Sequence, residues 1–442
     1  MPDSALMDVA GLIDDRPNDG VFRVSRSAFT DPRVFELEMA RIFEATWVFV
    51  ALESEIEQPH DFLTRQIGRQ PVILTRDGTG TLRGFLNSCR HKGTLLCPFR
   101  AGNRKFHTCP YHGWVYDSAG HNVGITDRAD GHYPPAFDDD SHDLAPLARV
   151  GSYRGFVFAS LSANVPSLDE HLGEARKLLD LVADQAPDGL EYIPGEASYT
   201  YDGNWKLQFE NGLDAYHFAT THAAFVDIVR QRPRAGPPPQ APGPIIAGTI
   251  STARGHAMSW SVGAPGQGPE SRPLVRDARL LALARERVGT ARLDWMLRQR
   301  NLTIFPNLQI IDIQSLQLRT WQPLAVDRTR MSSHCLAPRG ESPPARRFRI
   351  RQYEEFFNAG GLATSDDNVM YALSQDGFAA HAAGDTQGYS RGMATPAAPP
   401  EPFAPLGLTD ARCNYSPAGL AFGDETAIHA GYREWRRLLQ TG

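Results

Sequence analysis

Cysteine is scarce in this chain: Cys89, Cys97, Cys109, Cys335 and Cys413 are all that 442 residues contain. An odd count in a chain of this size argues against a disulfide framework. Long apolar runs are missing too, since no stretch reaches the roughly 18 residues a membrane span needs. The N-terminal MPDSALMDVAGLIDD is acidic, with no basic region leading into an apolar one, so no signal peptide is expected. Positive charge is not in excess. The 45 Lys and Arg face 51 Asp and Glu, and no basic run carries interleaved aromatics, which gives no reason to expect a nucleic-acid partner. No strand-like run opens into GxGxxG, so the chain offers no flavin or nicotinamide fingerprint of its own. What is left is a cytoplasmic chain without a membrane span, long enough for two domains.

Two of the few cysteines sit beside histidines. The text reads Cys89-Arg-His91-Lys-Gly93 and then Cys109-Pro-Tyr-His112-Gly113-Trp114, that is C-x-H, seventeen residues, C-x2-H. Thiolates and imidazoles presented by two turns can hold a two-iron cluster, with two Cys on one iron and two His on the other, the Rieske [2Fe–2S] arrangement. A Cys2His2 zinc site would satisfy the same donors. Zinc fingers usually pair Cys with Cys and His with His, whereas each loop here gives one of each, which favours the cluster. Cys97 lies between the halves without a His partner and is expected to be a buried thiol. Around these motifs the runs 46–50, 71–75, 82–86 and 155–159 are strand-like and separated by Gly- and Asp-rich turns such as Asp77-Gly-Thr-Gly80. A small β domain over 46–160 is expected, preceded by a segment, 1–45, with an amphipathic helix at 35–43.

The remainder, 161–442, is a second domain. An amphipathic helix is expected at 168–183 and a strand at 196–201, feeding a helix over 204–222. Asp214 and His217 are three apart and share a helix face. Five residues turn an α-helix by about 500°, which leaves His222 about 140° from His217. Both can reach one metal only if the helix ends or bulges between them. Two imidazoles and a carboxylate suit non-haem Fe(II), with open positions for O2 and substrate. Taken alone, the stretch also reads as a helix with one capping and one surface histidine. A carboxylate could come from Asp366 or Asp367 in Ala363-Thr-Ser-Asp-Asp-Asn368, although acids at a helix start are ordinarily caps. Residues 232–244 hold six prolines and cannot be regular helix or central strand. They are expected to form a loop, either a lid over the pocket or a plain linker. Residues 275–301 read as helix. Those at 302–323 alternate as strands with one buried face do, 331–338 continue that sheet, and 346–358 form a helix bearing Tyr353, Phe356 and Phe357. The fold class expected is α+β.

The two constellations, in this order, resemble the large (α) subunits of Rieske non-haem iron aromatic-ring-hydroxylating oxygenases, along essentially the whole chain. The second motif is N-W-K-x3-E-N-x2-D-x-Y-H-x4-H, from Asn204 to His222. The resemblance implies an N-terminal Rieske β domain and a helix-grip-like catalytic domain, an antiparallel sheet flanked by helices, with segment 1–45 packing on the latter. It implies that Cys89 and Cys109 ligate one cluster iron and His91 and His112 the other. It implies that His217, His222 and Asp367 hold the mononuclear iron. Asp214 would be the family's bridging aspartate, which links a cluster histidine of one subunit to an iron-ligating histidine of its neighbour, so the working unit is an oligomer. Electrons would come from NADH through a separate reductase, with or without a ferredoxin.

Within that family, 52–56, 199–206, 210–212, 353–358 and 390–393 are similar to the benzoate, halobenzoate and anthranilate dioxygenase branch. That implies a small aromatic acid as substrate and an α3β3 assembly with a small β subunit, or α3. An acid needs a cationic or amide partner in an otherwise apolar pocket. Arg391 is the candidate cation, with a surface salt bridge as the alternative, and Asn211 is a second polar contact. The sequence departs from the branch at Thr221-His-Ala-Ala-Phe225, where Val-His-Trp-Asn-Tyr is common. That change reshapes the pocket beside the iron. It leaves open whether two oxygens are inserted, or one, as in salicylate-type hydroxylases and O-demethylases.

Overall fold

The computed structural model describes residues 8–231, 246–262, 271–380, 382, 384–396, 398, 400–416 and 424–441. The proline-rich 232–244 lies outside the described residues, and its lid or linker role with it. Backbone contacts divide the chain into two units, Phe43–Leu168 on one hand, and the residues up to Ile42 with those from Asp169 onward on the other.

Phe43–Leu168 is built from antiparallel hairpins. One sheet runs in the order Leu82–Leu86, Gln70–Arg76, Asp61–Ile67, Ala101–Asn103. A three-stranded sheet joins Arg149–Tyr153, Phe156–Ser160 and Val48–Leu52, and another joins Asn122–Gly124, Val115–Asp117 and Phe106–Thr108. The expected strands are all present, shifted by no more than two residues. The Gly68-Arg69 turn sets Ile67 opposite Gln70, and Gly68 supplies the left-handed backbone this needs, φ +55°. Phe62, Ile73, Phe85, Leu96, Trp114, Tyr116 and Leu144 form one buried cluster with Cys89, Cys97 and Cys109. The motif cysteines are therefore rooted in this unit's core.

The other unit carries a nine-stranded antiparallel sheet. Leu190–Tyr192 and Ala197–Asp202 both pair with Arg328–Pro338, followed by Leu316–Ala325, Leu308–Asp312, Gln299–Ile304, Ala257–Val262, Ile246–Ser251 and Arg412–Ser416. Register places Thr303, Gln309, Arg319 and Ser333 in one row, with Ser259, Asn301, Ile311, Gln317 and Cys335 in the next on the same face. That face meets the helices Trp205–Asn211 and Thr364–Gly377. Gln208 Nε2 donates to Gln309 Oε1 at 3.1 Å, and Arg319 Nη2 to Thr364 Oγ1 at 3.2 Å. Gly212 lets the chain come this close, because a Cβ there would run into the Gln309 amide.

Several expected helices are broken. The 168–183 helix is Leu168–Leu172 and Ala175–Ala183, parted at Gly173. The 275–301 stretch holds helices Ala278–Val288 and Thr290–Met296, parted at Gly289 (φ +75°), and Gln299 already lies in a strand. Pairing of Gln299 to Asn301 with Ser261 to Ser259 overrides the helical preference of an Arg-rich text. The 346–358 helix is Pro343–Gln352 continued by a π-turn, Tyr353–Phe357. The expected helix at 35–43 is Pro32–Glu38 followed by a π-helical turn, Met39–Phe43. The fully buried Glu38 receives Lys206 Nζ at 2.5 Å, Trp205 Nε1 at 2.9 Å and Trp435 Nε1 at 2.7 Å, which ties the N-terminal segment to the ligand-bearing helix. Among the described residues, no helix is long and apolar enough to cross a membrane.

Candidate metal centres

The two cysteine–histidine loops share one backbone plan. Cys89 N donates to Thr94 O at 2.9 Å and Gly93 N to Cys89 O at 2.9 Å; Cys109 N donates to Trp114 O at 2.7 Å and Gly113 N to Cys109 O at 3.0 Å. Gly93 and Gly113 both turn left-handed, at φ +73° and +72°, which explains why a glycine closes each motif. The cysteines lie at the base, each 3% exposed, and the half-buried histidines above them, with imidazole centroids 4.5 Å apart. His91 also stacks on Trp114 at 4.9 Å.

Nδ1 of His91 is buried without a hydrogen-bond partner among the described residues. An orphaned buried nitrogen is costly, and a metal ion would satisfy it. Burial holds the His91 pKa below its ordinary value, and His112 and Lys92 push the same way, so the ring stays in the neutral form that ligates. Two thiols low and two imidazoles high fit the two-and-two division of a [2Fe–2S] cluster. Cys97 stands apart, buried, with Sγ 3.7 Å from Phe99 O, and burial raises its pKa.

In the larger unit the 204–222 stretch is not one helix. Trp205–Asn211 ends before Asp214, a short helix Phe218–Thr221 follows His217, and His222 (φ −103°, ψ 34°) breaks the chain again before Ala223–Gln231. The turn between the histidines is helical, with Thr221 N donating to His217 O and His222 N to Phe218 O; it ends at His222, and the two imidazole centroids lie 5.4 Å apart. His217, His222 and Asp367 each offer a ligand atom, all within 4.8 Å of one another. Asp367 Oδ1 lies 3.3 Å from His222 Nε2 and 3.6 Å from His217 Nε2. Two imidazoles and a carboxylate converging, with no fourth His, Cys, Asp or Glu joining them among the described residues, suit a metal that keeps positions open.

The neighbours fix this triad. Asp366 Oδ2 is 3.3 Å from His222 Nδ1. Asn211 Nδ2 donates to Asp367 Oδ1 at 3.1 Å and stands 3.3 Å from His217 Nε2. The Asp214 carbonyl meets His217 Nδ1, and its carboxylate lies 3.8 Å away. Burial works against a charge on His217, but Asp214 and Asp367 outweigh it, and its pKa is raised. Phe356 stands 5.7 Å from the His222 ring and 4.4 Å from Phe225, forming an aromatic wall.

A cleft opens beside this segment, lined by Leu213, Ala215, Thr249, Ser261, Asn301 and Ile313 among others. Arg391 does not line it. That residue is exposed, with its guanidinium 4.5 Å above the Tyr216 ring and its backbone N held by Glu425 Oε2 at 3.0 Å. The sequence reading named neither Asp366 as a partner of His222 nor Asn301 in the cleft. For Asp366 the adjoining acid was the available sign; Asn301 shows itself only through strand register.

Residues 46–134 match the Rieske [2Fe-2S] domain family, and residues 191–441 match the family described as ring hydroxylating alpha subunit (catalytic domain). The chain belongs to the ring-hydroxylating α subunits. As a member it is an oxidoreductase that uses a Rieske [2Fe–2S] cluster and a mononuclear iron, with O2 as oxidant and electrons from NADH through a reductase. The α subunit is 44% identical to that of toluate 1,2-dioxygenase of Pseudomonas putida, over 84% of this chain and 82% of the relative. It is 42% identical to the large subunit of anthranilate 1,2-dioxygenase of Acinetobacter baylyi, over 84% and 80%. The crystal structure of naphthalene 1,2-dioxygenase from Rhodococcus sp. bound to indole superposes with a TM-score of 0.80, at 27% identity over 94% of each chain.

Proposed function

We propose that this α subunit dihydroxylates a small aromatic carboxylic acid. The observation that carries the reading is the convergence of His217, His222 and Asp367 within 4.8 Å, in a chain whose 44% and 42% identical relatives are toluate and anthranilate dioxygenases. His217 and His222 hold the iron through Nε2 and Asp367 through its carboxylate. Cys89 and Cys109 hold one cluster iron, and His91 and His112 the other. When bound, the cluster supplies electrons singly and the mononuclear iron supplies open positions for O2 and substrate.

The protein's part is positional. Asp366 orients His222, and Asn211 orients Asp367, as partners of metal ligands do. Asp214 holds His217 by its carbonyl and offers its carboxylate to a cluster histidine of a neighbouring subunit. The assembly is then an oligomer, α3β3 with a small β subunit or α3, served in the cytoplasm by a separate reductase with or without a ferredoxin. Phe218, Phe225 and Phe356 keep water from the ligand side of His222. The ring lies on the His222 side, beside Phe356, with Asn211 near its reacting edge, and the cleft bearing Ser261 and Asn301 opens next to the ligand segment.

The test is turnover by the reconstituted complex, with reductase and NADH, on benzoate, toluates, anthranilate and salicylate beside toluene and naphthalene. The acids should be preferred in kcat/KM by at least about tenfold, the discrimination expected of a site built to pair a charged group. A complex that oxidises the hydrocarbons and ignores every acid would contradict the reading.

A further inference from the structure

Among the described residues, five Lys and Arg side chains are buried: Lys206, Arg272, Arg300, Arg319 and Arg349. Four of them face a carboxylate. Lys206 pairs with Glu38 at 2.5 Å, Arg349 with Glu341 at 2.6 Å, and Arg272 and Arg300 share Asp312. Arg319 is 3% exposed and has no carboxylate partner among the described residues. Its guanidinium donates from Nη2 to Thr364 Oγ1 at 3.2 Å, and Nε is buried without a hydrogen-bond partner among the described residues. A buried guanidinium is costly to keep unpaired. The fold meets that cost elsewhere with Asp or Glu, and here it does not.

The position of Arg319 is as telling as its missing partner. It lies on strand Leu316–Ala325, on the sheet face turned to the ligand helices, and its register partner Gln309 bonds Gln208. Thr364, which it does bond, opens the helix that presents Asp367 one turn later. The Phe357 ring is 5.9 Å from the guanidinium. Phe357 packs in one apolar cluster with Ile311, Ile313 and Phe356; Ile313 lines the cleft, and Phe356 stands 5.7 Å from His222. Apolar side chains thus connect the unpaired cation to both the cleft and the ligand triad.

We propose that Arg319 is the anchor for the substrate's carboxylate, with the ring held against Phe357 and Phe356 on the side of His222. The inference rests on the aromatic-acid reading above and names the residue that enforces it. The guanidinium fork matches a carboxylate through two parallel N–H···O bonds. An acid entering the site completes the ion pair that the fold leaves open, and an uncharged analogue of the same shape leaves it unpaired.

The experiment uses the assembled complex with cluster, iron and reductase. It compares benzoate with benzamide, by equilibrium binding and by KM, in the wild type, Arg319→Met and Arg319→Lys. Iron and cluster content are measured on each preparation. Arg319→Met should retain both metals and weaken benzoate binding by about 30- to 100-fold, the size expected for losing a charge-assisted pair, with benzamide changed less than about threefold. Arg319→Lys, which keeps the charge without the fork, should weaken benzoate by about three- to tenfold and leave benzamide unchanged. If Arg319→Met does not accumulate as folded protein, the Lys variant decides the matter, and an unchanged benzoate-to-benzamide ratio in it overturns the anchor. Equal losses on both ligands in Arg319→Met overturn it as well. A wild type that binds no aromatic acid removes the substrate reading and the anchor together. A wild type that prefers benzoate, with a Met variant that keeps that preference, removes the anchor alone.

Discussion

The Asn211 amide donates to Asp367 Oδ1 at 3.1 Å while standing 3.3 Å from Nε2 of His217, so one uncharged side chain touches two members of the triad. Such partners typically change metal affinity by about 10- to 100-fold. Asn211→Ala and Asp366→Asn should each lower iron affinity by about that factor, read as iron retained after dialysis against a chelator, with Rieske absorption unchanged. Asp367→Ala removes a ligand and should leave no mononuclear iron. Full iron occupancy in Asp367→Ala would show that the triad is not the iron site.

The three cysteines of the smaller unit differ by position alone. Cys89 and Cys109 root matching loops, and Cys97 is a buried thiol near Phe99 O. Cys109→Ser should abolish the cluster's visible absorption, and Cys97→Ser should preserve it. A cluster lost with Cys97 would mean that the donor set has been misassigned.

Glu38 accepts from Lys206, Trp205 and Trp435 in a fully buried setting. Removing one partner of such a pair leaves a buried charge, at a cost of about 3–5 kcal/mol, whereas replacing both with apolar groups is often close to neutral. Glu38→Gln should therefore lower the unfolding midpoint in denaturant sharply. Glu38→Met with Lys206→Met should recover most of the loss. A Gln variant as stable as the wild type would remove this contact from the forces holding the N-terminal segment.

Glu210 is one residue from Asn211 and accepts hydrogen bonds from Tyr389 at 2.7 Å and from Tyr432. Burial pushes its pKa up to about 7 from an ordinary 4.5, against the pull of the two hydroxyls. A carboxyl whose folded pKa is raised binds protons more tightly in the folded state. Its contribution to stability is present below its unfolded pKa and is lost as pH rises through its folded one. Between about pH 5 and about pH 8 the wild type should lose stability relative to Glu210→Gln, which has no proton to release. Parallel thermal-midpoint profiles for the two proteins would contradict this.

Much of the chemistry was legible in sequence because it is local. C-x-H and C-x2-H each occupy a single turn whose closing glycine is part of the motif, and the rest of the fold only has to bring two such turns together. His217 and His222 were legible as a pair, and so was the need for the helix to end by the second of them, which it does at His222. What sequence did not give depends on register and on partners far along the chain. Arg319 sits in an alternating strand text and looks like any polar residue there; its lack of a carboxylate is visible only once the other buried cations have found theirs. Arg391 was assigned to the pocket on charge alone, and the structure holds it outside over Tyr216. The helices expected at 168–183 and 275–301 ran through Gly173 and Gly289, where left-handed backbone ends them.

The most direct measurement is the oxygen count in the product. The reconstituted complex is run with NADH and 18O2 on whichever aromatic acid it turns over, and the product is analysed by mass. A cis-diol acid carrying two labelled oxygens is the result expected of a dioxygenase acting at His217, His222 and Asp367. A phenol carrying one would contradict dioxygenation and make the chain a monohydroxylase built on the same ligands.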